Sequence, residues 1–227
     1  MYKKLANYKQ LIENFISLYL LKIANIIIPL ITLPYLVRVL GVDGYGVISF
    51  AQVFAGFFVM FVDFGFNLSM AREISVYSDD TTKVSKIVST VFIIKAILLI
   101  LGFFVYYLLI SYFDKFVKYE LLHLYMYGIV IGQGLFPYWY FQGMQKMRYI
   151  TILNLIVKLT FLILILSLIK TPDDYLRYPV LLTFGYIGIL PFAYYFAKKE
   201  FKFKFFLPSY RDIIYYLKYS SHFLSLE

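Results

Sequence analysis

The chain has 227 residues, 62% of them apolar and 15% charged, with a formal net charge of +9 and a mean hydropathy of +0.75. Globular proteins use about half apolar and about a quarter charged residues, so this composition excludes a water-soluble fold. The hydrophilic stretches Arg72 to Lys86 and Lys198 to Lys218 are far shorter than the ~50 residues of an independent soluble domain, which leaves no room for a separate catalytic or nucleic-acid-binding unit.

The basic start, with Lys3, Lys4 and Lys9, precedes an apolar run that is too long for a signal peptide and has no small-residue cleavage site, so it reads as a retained first helix. Six stretches are then long enough to span a bilayer: Phe15 to Leu40, Tyr45 to Ala71, Ile87 to Ile110, Leu121 to Phe141, Ile150 to Ile169 and Tyr178 to Ala197. No alternating ten-residue strands occur, and helices satisfy their own backbone groups in lipid, so the expected fold is an all-α polytopic membrane bundle. Gly41-Val42-Asp43-Gly44 has the composition of a tight turn between the first two helices. The bundle is expected to occupy residues 1–207. Residues 208–227, with the amphipathic run Ile213 to Tyr219, read as a cytoplasmic tail leading toward a seventh helix. On that reading the chain is the first half of a longer transporter; a complete six-helix protein is the alternative.

Orientation follows from basic residues, which stay on the cytoplasmic side. Of the 22 Lys and Arg, Arg38, Lys115, Lys118, Lys170 and Arg177 flank one side, Lys22, Lys95 and Lys158 lie inside spans, and the rest fall on the other side. Both termini are therefore expected in the cytoplasm. In a membrane protein the positive charge serves topology and anionic headgroups, not nucleic acid. Cysteine is absent and His123 and His222 are isolated, which excludes disulfides, thiol nucleophiles and a zinc site made by these two alone. No cofactor or metal is implied. Phe and Tyr, 24 each, carry little functional weight in this reading beyond interfacial belts such as Tyr138-Trp139-Tyr140.

Ionisable groups inside spans cost ~2.5–3.5 kcal/mol each at the bilayer centre, so each asks for a reason. Lys22, Asp63, Lys95 and Lys158 all fall seven to nine residues inward from their cytoplasmic helix ends, roughly 10–14 Å deep. They suggest a cationic layer in a cavity with Asp63 as partner; the plain alternative is lysines that snorkel to the headgroups. Helical spacing puts Asn14, Lys22, Asn25, Pro29 and Thr32 on one stripe, and Ser49, Gln52, Gly56, Asp63 and Asn67 on another, while Thr151, Asn154 and Lys158 share a face. Lys95 has no such companions, which makes it the weakest member of the set. Candidate substrate-contacting residues are thus Lys22, Asn25, Gln52, Asp63, Lys95, Asn154 and Lys158. Pro29, Pro34, Pro137 and Pro191 read as kinks or hinges. Asp63-Phe64-Gly65 spells a kinase magnesium triplet but lies in a membrane helix without companions, and Gly41, Gly44 and Gly46 lack dinucleotide-loop spacing.

Pro34-Tyr35-Leu36-Val37-Arg38-Val39-Leu40-Gly41 followed by Gly44-Tyr45-Gly46 resembles the first-helix signature of polysaccharide-biosynthesis flippases, the Wzx-type exporters of O-antigen or capsule repeat units. Asp63-Phe64-Gly65-Phe66 with Arg72-Glu73-Ile74-Ser75, and Pro137-Tyr138-Trp139-Tyr140-Phe141-Gln142-Gly143, look like its next landmarks. The resemblance implies a member of the multidrug, oligosaccharidyl-lipid and polysaccharide exporter superfamily, typically twelve or more helices in two bundles. It implies a non-enzymatic flippase that moves undecaprenyl-diphosphate-linked oligosaccharide by alternating access. Its partners would be that lipid-linked oligosaccharide, membrane lipids and polysaccharide polymerisation machinery. The lysines would then meet the diphosphate, and Asn25, Gln52 and Asn154 the sugar hydroxyls. A multidrug exporter is disfavoured by the excess of lysine over Asp63. A membrane enzyme acting on polyprenyl phosphates would have to use Arg72, Glu73, Asp79 and Asp80, which read as a solvated turn. A half-bundle that does not transport is the third alternative.

Overall fold

The computed structural model describes the backbone of residues 2–201 and 204–224 and the side chains of 12–199 and 204–222. The side chains of Lys3, Lys4 and Lys9, residue Lys202 and the last positions Ser225, Leu226 and Glu227 lie outside the described residues. The elements are α1 (Tyr2–Asp63), α2 (Phe66–Val76), α3 (Thr81–Tyr112), α4 (Asp114–Val117), α5 (Glu120–Leu135), α6 (Tyr138–Gly143), α7 (Met147–Leu168), a 3-10 turn (Pro172–Leu176), α8 (Arg177–Gly188), α9 (Leu190–Phe201) and α10 (Tyr210–Leu224). No strand occurs among the described residues. Four segments are long and apolar enough to cross a bilayer: Ile12–Val76, Thr81–Tyr112, Met147–Leu168 and Pro172–Lys199. The protein is an all-α membrane bundle.

The 65 residues of the first segment would extend roughly 97 Å as one straight helix, some three times a hydrocarbon core of ~30 Å. It does not run straight. Gly41 leaves helical geometry at φ 75° and ψ 167°, a left-handed setting that glycine adopts at little steric cost. The contacts on either side show the chain turning back there. The first arm of α1 runs parallel to α7: the Asn14 side chain accepts from the Met147 N–H at 3.2 Å, the Thr151 hydroxyl donates to the Ser17 carbonyl at 2.9 Å, and the Tyr35 hydroxyl donates to the Ile169 carbonyl at 2.7 Å. The second arm runs antiparallel to α3, with Phe54 on Tyr106 near one end and Asp63 on Lys95 near the other. The turn expected over four residues is thus made by Gly41 alone, while 42–44 are already helical. Pro29 and Pro34 sit inside the first arm without ending it.

Three of the expected spans are discontinuous. The second breaks after Asp63, where Phe64 and Gly65 take φ of 47° and 73° before α2 begins. The fourth breaks at Phe136-Pro137, between α5 and α6. The sixth breaks at Ile189, between α8 and α9. All three breaks fall where one apolar core gives way to another. The first core gathers Leu36, Ala55, Leu99, Tyr106, Val130 and Ile165 with their neighbours. The second gathers Phe66, Ile74, Val91, Trp139, Leu153 and Ala193 with theirs. Helices approach closely through glycines: a Cβ on Gly132 would lie 2.5 Å from the Tyr186 Cβ, and one on Gly143 would lie 2.7 Å from the Ala71 carbonyl oxygen.

The tail is folded against the bundle. Residues 204–209 run extended along α3, donating the Lys204 and Phe206 N–H groups to the hydroxyls of Ser85 and Ser89 at 3.2 and 2.9 Å. Helix α10 follows, opened by Ser209 and Asp212, which cap each other reciprocally: the Ser209 N–H donates to Asp212 Oδ2 at 3.0 Å and the Asp212 N–H to Ser209 Oγ at 3.3 Å. Its inner face packs on α2 and α3, where Ser220 and Ser69 share a buried hydrogen bond of 2.8 Å.

Candidate functional site

The polar residues inside the bundle collect at the boundary between the two cores. Lys95 on α3 is 3% exposed and donates to Asp63 Oδ1 at 2.9 Å. Asp63 is the last residue of α1, and the left-handed turn at Phe64-Gly65 restarts the chain so that Asn67 follows one turn on. Val59, Asp63 and Asn67 thereby line one wall of a cavity of about 360 Å³, while Gln133, Gly134, Tyr138 and Gln142 line the other. Each wall is made by positions four residues apart that continue through a helix break, Val59, Asp63 and Asn67 on one and the backbone of Gly134 with the side chains of Tyr138 and Gln142 on the other. The Oδ1 atom of Asn67 is buried without a hydrogen-bond partner.

From this cavity the polar contacts continue into α7. The Tyr138 hydroxyl donates to Asn154 Oδ1 at 3.1 Å, and Asn154 Nδ2 donates to the Ile150 carbonyl at 2.8 Å. One turn further, Lys158 donates to Asn25 Oδ1 on the first arm of α1. The sequence candidates therefore fall into three places. Asp63 lines the cavity, Lys95 and Asn154 stand behind it as the partners of Asp63 and Tyr138, and Lys158 pairs with Asn25 at the edge. Lys22 and Gln52 lie on exposed helix surface. Gln52 accepts from the Tyr178 hydroxyl at 3.3 Å, eleven residues and roughly 16 Å along the helix from Asp63.

Lys95, read as the weakest candidate because its own helix carries no polar stripe, is the most deeply buried of the lysines. Its partner comes from another helix, which spacing along α3 does not reveal. Asn67 was on a legible stripe but not among the candidates, and Gln133, Tyr138 and Gln142 were missed as a group. The i, i+4 spacing of Tyr138 and Gln142 just after Pro137 is a signal for two of them; Gln133 has none. The acidic cluster near the start of α3 is a turn: Asp80 Oδ1 accepts from the N–H groups of Thr82 and Lys83 at 3.1 and 3.0 Å as the helix cap.

Tyrosines have a definite structural task here. The hydroxyls of Tyr106, Tyr127 and Tyr194 donate to the carbonyls of His123, Leu99 and Leu135 at 2.9, 2.6 and 2.8 Å, each from a neighbouring helix. Of these acceptors only Leu135 closes its helix, where a freed carbonyl finds no water in hydrocarbon and the Tyr194 phenol takes its place; the other two phenols tie α3 and α5 together through carbonyls within the helices. A separate groove of about 750 Å³ between α3, α5 and α8, lined by Phe103, Tyr127 and Phe184 among others, is almost wholly apolar.

Polar side chains thus gather where the helices of this membrane bundle break. The profile of the polysaccharide biosynthesis protein family matches residues 11–227, and the chain belongs to that family. It is 29% identical over 162 residues to the "Putative O-antigen transporter" of Escherichia coli (strain K12), covering 71% of this chain and 39% of that protein. A protein of the same description from Shigella dysenteriae is 31% identical over 166 residues, covering 71% of this chain and 40% of that protein. The chain thus spans about two-fifths of the length of the curated relatives it matches. No solved structure matches it significantly.

Proposed function

We propose that the chain forms one helical bundle of an exporter that carries an undecaprenyl-diphosphate-linked oligosaccharide from the cytoplasmic to the outer leaflet of a bacterial inner membrane. The observation that carries this reading is the polar layer, in which Asp63, Lys95, Asn67, Gln133, Tyr138 and Asn154 meet between two apolar cores. A glycan headgroup entering hydrocarbon loses water at each hydroxyl and phosphate, a cost of several kcal/mol per unmatched group, and such a layer replaces part of that hydration. Both similar proteins are described as O-antigen transporters, which supports a transport role in place of an enzymatic one.

Within this reading Lys158 and Lys22, with Asn25, meet the diphosphate from the exposed face formed by α7 and the first arm of α1. A second bundle covers that face, and the two bundles rock about the helix breaks to open the layer to each side in turn. The lysine-rich end, with Lys83, Lys86, Lys146, Arg148, Lys198 and Lys199, lies in the cytoplasm. The polysaccharide polymerisation machinery receives the product on the other side.

The test is retention of lipid-linked oligosaccharide by the purified chain in nanodiscs. Retention is expected to fall in Lys22→Ala and Lys158→Ala, and to fall less in the corresponding Arg variants, which keep the charge. Equal retention by wild type and both Ala variants rejects the reading.

A further inference from the structure

The wall of the 360 Å³ cavity has a chemistry that its location in a lysine-bearing layer hides. Lys95 does not line it; the ammonium sits behind Asp63, its side chain 4% exposed, and is turned to Asp63 Oδ1. The polar part of its lining comes from Asp63, Asn67, Gln133, Tyr138 and Gln142. Asp63 Oδ2 accepts no hydrogen bond among the described residues, and neither does the buried Asn67 Oδ1. The Tyr138 hydroxyl spends its proton on Asn154 and keeps acceptor capacity. The amides come from Gln142, whose side chain is without a partner among the described residues, and from Gln133, which bonds Tyr186.

This arrangement selects a ligand class. An anion meets the Asp63 carboxylate and has only the glutamine amides to accept from, so a phosphate is disfavoured. A bare cation finds little field, because Lys95 already neutralises Asp63 at 2.9 Å. A neutral group rich in hydroxyl donors satisfies the open acceptors and also accepts from the glutamine amides. The volume is at the small end of ligand sites and suits one ring rather than a chain. We infer that this cavity, walled by Asp63, Asn67, Gln133, Tyr138 and Gln142, is a binding site for a single neutral sugar ring, recognised through its hydroxyl donors. The inference rests on the exporter reading for its biological ligand and separates the cargo physically: sugar at the helix breaks, diphosphate at Lys158 and Lys22.

The only tryptophan of the chain, Trp139, is 2% exposed and adjacent to Tyr138, so it reports on the cavity without labelling. The purified chain is titrated with D-glucose and with N-acetylglucosamine, followed by Trp139 emission and by calorimetry. Permethylated glucose, sodium chloride and pyrophosphate are titrated in parallel. A saturable response to at least one of the two sugars and none to the other three is expected. Asn67→Ala and Gln142→Ala should each weaken the sugar response about three- to tenfold, the loss of one hydrogen bond. Should Asn67→Ala fail to fold, Gln142→Ala, altered at an exposed side chain, decides. The inference is overturned by no response to either sugar in both measurements. It is equally overturned by saturation with sodium or pyrophosphate, by permethylated glucose matching glucose, or by unchanged affinity in the folded variants. These outcomes are independent of lipid-linked oligosaccharide retention, so the sugar site and the exporter reading fail separately.

Discussion

Lys95 and Asp63 hold each other inside a medium that tolerates neither charge alone. Truncating one partner of a buried pair costs about 3–5 kcal/mol, whereas replacing both by apolar groups is often neutral. Lys95→Ala is therefore expected to lower the thermal unfolding midpoint in detergent far more than Ala at the exposed Lys22, and Lys95→Met with Asp63→Leu should recover most of the loss. Glycines offer a second contrast. Gly41, at φ 75° and ψ 167°, has nothing within 4 Å of an added Cβ, so Gly41→Ala should cost only the backbone term of about 1–3 kcal/mol. Gly143→Ala should cost more, because its Cβ would meet the Ala71 backbone oxygen at 2.7 Å; the same unfolding measurement ranks the two. Spacing along single helices reveals a residue such as Asp63, whose neighbours four positions away are polar, but not a residue such as Lys95, whose meaning lies in another helix.

At the level of elements, the sites of helix formation were legible and their interruptions only partly so. Pro137 marks one break directly. Gly65 lies at another, yet within an apolar run a glycine alone does not separate a break from a close contact. Ile189 has only Pro191 beyond it as a signal. The fold of the tail was open to one reading, an amphipathic helix, but not to its seat on α2 and α3, which depends on Ser69, Ser85 and Ser89 meeting residues more than a hundred positions later. In a cysteine-free chain, Ser69→Cys with Ser220→Cys should cross-link on mild oxidation at neutral pH, and adding Asp212→Ala should lower the yield. The same cap is pH-sensitive in a defined direction. Hydrogen bonds from the Ser209 hydroxyl and N–H, with a smaller pull from Lys86, hold the Asp212 carboxyl below the usual carboxylate value. The contribution is present above an unfolded value near ~3.9 and is lost as pH falls through the lower folded value. An environment-sensitive fluorophore on Ser221→Cys should report docked α10 from neutral pH down to about 5 and its release only in stronger acid. Release above that range would show that another group controls the docking.

For the whole molecule, orientation and completeness of the cavity are the measurable consequences. The two ends of the bundle differ sharply in basic residues. Impermeant thiol reagents added to intact cells should label single cysteines placed at Lys115 or Lys170 and spare those at Lys83 or Lys146; the reverse pattern would invert the proposed topology. On the first arm of α1 the side chains of Lys22 and Asn25 are exposed, Asn25 meeting Lys158 at the edge. A flippase-null strain should regain surface polysaccharide only when a second bundle is supplied to that face, whether by another copy or by further chain. Restoration by a strictly monomeric form of these 227 residues would contradict the two-bundle mechanism.

The parallel pairing of the first arm of α1 with α7 also bears on how the protein is made. Partners in that contact are separated by 131 to 134 residues. At ~5–20 residues per second, the ribosome needs on the order of ten seconds to deliver α7 after the first arm has emerged. Throughout that interval Lys22 and Asn25 stand in the membrane without Lys158 or any of the α7 surface. The first arm is thus an early intermediate with polar groups and without its α7 partners, and insertion machinery or lipid must shelter it until α7 arrives.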